Sequence, residues 1–307
     1  MKVSDLAIET SHLRKEFGSK VAVQDLTLAV PRGEVFGFLG PNGAGKTTAV
    51  KMLMALVRPT SGSARLLGHS PDDPLAKERI GFLPELFRFH EWLTAYEFLD
   101  FHGQLYGMDA DKRRRRIPEV LELVGLSHES GYRLGTFSKG MQQRIGIAQA
   151  VLNWPEVVLL DEPTSALDPL GRRDVRDLIR LLKDEGRTVF LNSHLLSEVE
   201  MVCDRVAIID RGRVIATGGL QELLAEVLEV EIEAAGLTPE TRREIEALGQ
   251  PLEAADGRIA LRLSDRERIP LVAEAVVRAG GRLYSLTRRR GSLEDLFIRV
   301  VEGEEGS

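Results

Sequence analysis

Eight consecutive residues, Gly40-Pro41-Asn42-Gly43-Ala44-Gly45-Lys46-Thr47, fit the spacing G-x-x-x-x-G-K-[ST]. The chemistry of that spacing is phosphate binding. Glycines let backbone N–H groups curl around an anion without Cβ obstruction, and a helix starting at the lysine adds its positive end. Lys46 would reach the β- and γ-phosphates of a nucleoside triphosphate, and the Thr47 hydroxyl would ligate Mg²⁺, with Thr48 beside it. A second constellation, Val157-Val158-Leu159-Leu160-Asp161-Glu162, ends an apolar run in two carboxylates. Asp161 would hold Mg²⁺ through water, and Glu162 would orient and activate an attacking water.

These groups need elements that bring them to one edge. Glu34–Leu39 reads as a buried strand leading into the loop, and Lys46–Val57 as the helix leaving it. Val157–Leu160 and Thr188–Leu191 read as further buried strands. Helices are expected over Thr94–Tyr106 (Thr94 and Glu97 at capping-box spacing), Asp111–Val124, Met141–Leu152 and Leu170–Asp184. Lys20–Val30, ending at Pro31-Arg32-Gly33, reads as a hairpin region with a turn. Strands alternating with helices imply an α/β fold with a largely parallel core, whose ligand edge lies at the carboxyl ends of the strands.

After about residue 220 the pattern changes. Leu228–Glu233 alternates strictly, as a half-buried strand does. Thr238-Pro239 marks a helix start, Asp256-Gly257 a hairpin turn, Ser264/Asp265 a helix running to Arg278, and Arg282–Thr287 a strand. Ser292 with Asp295 opens a last helix. The order βαββαβ points to a small α+β domain of ferredoxin-like type.

Phe137-Ser138-Lys139-Gly140-Met141-Gln142-Gln143-Arg144 narrows the class. It resembles the signature segment of ABC-type ATPases, in a form common among ABC-2 exporter subunits. Phe17-Gly18 resembles the loop whose aromatic ring stacks on adenine. Ser165-Ala166-Leu167-Asp168 resembles the loop at the dimer interface, and His194 resembles the switch histidine that contacts the γ-phosphate. Ser292–Phe297 looks like the C-terminal end of ABC-2-type subunits. The resemblance implies a P-loop ABC ATPase core over 1–220, with a helical subdomain at about 86–155, and an accessory domain over 221–307. It also implies a MgATPase acting as a homodimer, in which Ser138, Lys139, Gly140 and Met141 face ATP held by the other copy's loop, with Asp168 at the interface. The implied partner is a separate ABC-2-type transmembrane permease, and the implied place is the cytoplasmic face of the membrane. The alternatives are an ATPase of a nitrous-oxide-reductase type maturation complex, a soluble ABC protein acting on ribosomes or DNA, and a hydrolysis-dead binder. A single phosphate loop, no sustained heptads and the intact Lys46, Asp161, Glu162 and His194 weigh against the last two.

Some positions depart from that pattern. Glu85 stands where many relatives carry Gln; it can accept a hydrogen bond or touch Mg²⁺ but has no amide to donate. Lys139 replaces a common Gly, either as charge beside the phosphate or as a solvated lysine, and Met141 replaces a common Gln. Phe17 has a second reading as a strand-edge residue. Lys112–Arg116 (KRRRR) reads chiefly as the solvated start of a helix, or else as a contact for phospholipid headgroups; Arg288–Arg290 has the same two readings. The aromatic stretch Phe87, Phe89, Trp92, Tyr96, Phe98 and Phe101 divides between helical-subdomain core and the permease contact that the resemblance implies.

The composition is ordinary globular: 307 residues, 43% hydrophobic and 29% charged. The net charge of −6 gives no case for a nucleic-acid partner, and it lies wholly in residues 221–307, which hold 12 basic and 18 acidic residues. One cysteine, Cys203, excludes a disulfide framework and fits a reducing compartment. No apolar h-region follows the first residues, and no run of about 18 apolar residues occurs.

Overall fold

The structure is a computed structural model that describes residues 5–165, 167–225, 228–252, 258–290 and 292–303. The chain forms two compact units, Met1–Gly219 and Leu220–Ser307. The first unit contains, in chain order, β1 (Leu6–Phe17), β2 (Lys20–Pro31), β3 (Val35–Leu39), α1 (Lys46–Leu53), β4 (Ser61–Leu66), α2 (Pro74–Lys77), β5 (Ile80–Leu83), α3 (Ala95–Leu105), α4 (Ala110–Leu123), α5 (Lys139–Val151), β6 (Val157–Asp161), α6 (Pro169–Asp184), β7 (Thr188–Asn192), α7 (Leu196–Val202), β8 (Arg205–Asp210) and β9 (Arg213–Gly219).

Its nine strands run β4-β1-β2-β9-β8-β3-β7-β6-β5. The half from β8 to β5 is parallel, with Phe36 opposite Phe190 and Asp161 opposite Asn192. Strands buried on both faces read as continuous apolar runs, and all five residues of β3, β6 and β7 are buried. Phe190 anchors the layer, with ring centroids 5.8 Å from Phe36 and 5.4 Å from Phe38. The other half is antiparallel where β1 pairs with β2 and β4.

The local expectations meet four corrections. Lys20–Pro31 is one long strand, not a hairpin; it pairs with β1 through a turn at Gly18, whose φ of +59° suits glycine. Helix α1 stops at Leu53 instead of Val57, because Ala55 turns into the left-handed region at φ +55°. Helix α5 begins two residues earlier than expected, with Ser138 as its cap. The basic run is not simply solvated. Asp109 caps α4, so Lys112–Arg116 lies within the helix, and helical spacing turns Arg113 and Arg116 inward. Arg113 bonds Asp100 and the Met108 carbonyl, and Arg116 is only 7% exposed. The Thr94–Glu97 capping box is present in both halves.

The second unit contains α8 (Leu220–Ala225), β10 (Leu228–Ala235), α9 (Pro239–Glu246), β11 (Gln250–Leu252), β12 (Ile259–Arg262), α10 (Arg268–Arg278), β13 (Arg282–Arg290) and α11 (Leu293–Gly303). Its antiparallel sheet has the order β11-β12-β10-β13, the arrangement of a ferredoxin-like fold. Val230, Ile232, Ile259 and Leu261 meet Ile245, Val272 and Val276 in its core. Alternation in β10 leaves Glu229 on the other face, where Arg262 binds it through two nitrogens. Thr238 caps α9, and α10 begins at Arg268, three residues beyond the expected cap. The expected Asp256-Gly257 turn lies outside the described residues, as do Ala166 and the side chains of Arg289 and Arg290.

Candidate active site

The phosphate loop spans from β3 to α1 and is shaped by close backbone contacts. A Cβ on Gly45 would stand 2.3 Å from the Ala22 carbonyl oxygen, and its φ is +102°. A Cβ on Gly40 would stand 2.3 Å from the Ile209 carbonyl oxygen. The turn after β8 braces the loop: the Gly212 N–H donates to the Ala44 carbonyl, and the Gly212 carbonyl accepts from the N–H groups of Gln24 and Asp25. Lys46 reaches back along the loop and donates to the carbonyls of Gly40, at 2.7 Å, and Pro41, at 3.1 Å. Burial pushes its ammonium below the usual lysine range, while Glu162, Asp161 and Glu85 oppose that shift.

The two carboxylates have different surroundings. Asp161, the last residue of β6, is 4% exposed and accepts a hydrogen bond from the Asn192 side-chain amide. Burial raises its pKa, and the Asn192 bond works against the rise. Glu162 sits at φ +53°, a left-handed backbone that costs a non-glycine residue about 1–2 kcal/mol. Its N–H donates to the Asn192 carbonyl, and its Oε2 stands 2.7 Å from Nδ1 of His194. Burial is also the main cause that lifts the Glu162 pKa, with His194 opposing.

A cleft of about 440 Å³ joins these groups. Asn42, Gly43, Gly45, Lys46, Thr47, Thr48, Glu85, Glu162 and His194 line it, as do Lys20, Ala22 and Asn192. Gly40, Pro41, Ala44 and Asp161 do not line it; they support the lining groups. Phe17 stands apart from the lining; the residue is 51% exposed, and the Lys15 ammonium lies 4.9 Å from its ring centroid. The structure does not bring Ser138, Lys139, Gly140, Met141 or Asp168 into the cleft. Ser138 Oγ accepts the Met141 N–H at the start of α5, and Asp168 caps α6 at the Gly171 N–H.

Asn192 touches both carboxylate residues and belongs to no short-range motif in the sequence. Only the register that sets Asn192 opposite Asp161 shows its place. Its Oδ1 is buried and has no hydrogen-bond partner among the described residues. With the Thr47 hydroxyl and the carboxylates of Asp161 and Glu85, it makes a donor set composed of oxygen, which suits a hard divalent cation.

A strand-loop-helix cradle beside a paired-carboxylate strand end defines a P-loop nucleoside triphosphatase. Residues 23–165 match the family described as ABC transporter. An uncharacterized ABC transporter ATP-binding protein of Synechocystis sp. is 43% identical over 91% of this chain and 78% of its own length. The linearmycin resistance ATP-binding protein of Bacillus subtilis is 33% identical, covering 96% of this chain and 98% of its own. The Nod factor export ATP-binding protein of Rhizobium sp. is 34% identical, covering 98% and 99%. A solved ATP-binding subunit of an ABC transporter superposes with a TM-score of 0.65 at 30% identity, covering 71% of this chain and 92% of that one. The chain belongs to the ABC transporter ATP-binding protein family, and it is an ATP-binding and ATP-hydrolysing subunit of such a transporter.

Proposed function

We propose that this subunit powers a separate ABC-2-type exporter permease as a homodimer that closes on ATP head to tail. One observation carries this reading: the cradle and the start of α5 are both well formed, yet they are apart in one chain. Each cradle therefore gains its second wall from the other copy. The N-terminal turn of α5, with Ser138 and Gly140, offers N–H groups and a positive helix end to the γ-phosphate across the interface. Phe17 offers an exposed ring face to adenine.

Within this reading, Thr47 and Asp161 would hold Mg²⁺, with Glu85 at the cleft edge; the cation would offset phosphate charge. Lys46 leaves its two carbonyl partners for the β- and γ-phosphates. Glu162 takes a proton from the attacking water, and His194 holds Glu162 in place from the Nδ1 side while Nε2 is left to face the γ-phosphate. Exposed Leu86, Trp92, Phe101 and Leu105 on the α3 side support docking to a permease. No helix among the described residues is long and apolar enough to cross a membrane; with a separate permease as partner, the subunit would sit peripherally at the cytoplasmic face. Light scattering on Glu162→Gln tests the dimer: ATP should double the mass and ADP should not. An unchanged mass with bound ATP overturns it.

A further inference from the structure

We propose that Arg116 and Arg144 form a reciprocal clamp between α4 and α5 that sets where the Ser138–Met141 turn stands, making both positioning residues for ATP held by the partner copy. The inference rests on the head-to-tail reading above.

The last turns of both helices contain no basic residue. A helix C-terminus leaves carbonyls without intrahelical donors and gains from a nearby cation. Each helix receives that cation from the other. From α4, Arg116 donates through Nε to the Leu152 carbonyl at 3.1 Å and through a terminal nitrogen to the Val151 carbonyl at 2.9 Å. From α5, Arg144 donates to the carbonyls of Val124, at 3.3 Å, and Gly125, at 3.2 Å. The two contacts join opposite ends, so the helices run antiparallel, and a slide of one past the other would break both.

Each arginine is itself held. Arg116 is buried, pairs with Glu119 and lies over the Trp154 ring at 4.6 Å. Gly125 takes φ +65°, and a Cβ there would stand 3.1 Å from the Arg144 guanidinium. The turn after α4 is thus fitted around Arg144. Arg144 lies six residues from Ser138, roughly 9 Å along the helix. Misplacing a group that meets a reacting phosphate by about 1 Å can cost about 100-fold in rate. The clamp fixes α5 against that slippage.

The test uses the purified full chain carrying Arg144→Gln, Arg144→Lys or Gly125→Ala. The last keeps every charge; it crowds the Arg144 guanidinium and adds the left-handed backbone cost of a side chain at φ +65°, which the thermal midpoint reads. Steady-state ATP hydrolysis, thermal midpoint and affinity for a fluorescent ADP analogue are measured for each. The clamp predicts that Arg144→Gln and Gly125→Ala lower kcat about tenfold or more while ADP affinity stays within about twofold. Arg144→Lys should regain part of the loss, since its ammonium keeps the charge but ends one bond short of the terminal nitrogen that serves both carbonyls. Unchanged kcat overturns the proposal, and so does a parallel loss of ADP affinity, which marks general damage. Gly140→Asp separates the two readings. If it abolishes turnover while Arg144→Gln does not, the clamp falls and the dimer stands. If Gly140→Asp turns over normally, the dimer reading falls and the clamp with it.

Discussion

His194 Nδ1 stands 2.7 Å from Glu162 Oε2 although 32 residues separate them, and β6 and β7, side by side, bring them together. Glu162 follows β6 directly in a left-handed turn, and His194 follows β7 by two residues. In the proposed roles the pair is a base and the group that aims it. Glu162→Gln should keep the shape and ATP binding but lower kcat by about 10²–10⁴-fold, the range of a lost general base. His194→Ala should lower kcat less. Phosphate release with nucleotide binding measured in parallel checks both, and turnover retained by Glu162→Gln would remove Glu162 from the chemistry.

The same burial gives a pH prediction. Glu162 is held above the ordinary glutamate value of about 4.3, so its basic form is lost at a higher pH than for an exposed glutamate. The acid limb of the kcat profile should therefore lie above that value. Moving the limb with Glu162→Asp, or losing it with Glu162→Gln, would assign it.

Stability should respond with the opposite sign to catalysis. Asp161 and Glu162 are both raised on folding, so the stability they contribute is present below their unfolded pKa values and is lost as pH rises through the folded ones. At pH 7 both carboxylates oppose folding. Asp161→Asn should raise the melting midpoint of the nucleotide-free chain by about 2–4 °C for each kcal/mol relieved. The gain should shrink below about pH 4. A lower midpoint at pH 7 would contradict the burial cause.

Two glycines of the loop should differ. Gly43 has φ +84° and open space around a Cβ, so Gly43→Ala meets only the conformational cost of about 1–2 kcal/mol. Gly45→Ala adds a clash with the Ala22 carbonyl at 2.3 Å and should distort the cradle. Nucleotide titration should show a modest loss for the first and near-complete loss for the second.

Phe190→Ala removes the ring that stacks on Phe36 and packs against Phe38 beneath the site. The expected loss is about 3–5 kcal/mol in urea melts. A loss under about 1 kcal/mol would mean that the layer collapses to refill the space.

The sequence alone determined the local chemistry of this protein. Gly40–Thr47, Asp161-Glu162 and Phe137–Arg144 are legible because their function depends on residue type at short spacing. The order βαββαβ of the second unit is legible because alternation and caps are local. The tertiary structure decided what lies between distant segments. The register of β6 on β7 set Asn192 against Asp161. The course of β2 and β8 laid Ala22, Ile209 and Gly212 against the loop, which is why Gly40 and Gly45 cannot carry a side chain. The packing of α4 on α5 turned Arg116, an apparent member of a solvated run, into a cap for the signature helix. Composition could not reveal these relations, because each depends on atoms brought together by strand register and helix packing across tens of residues of chain.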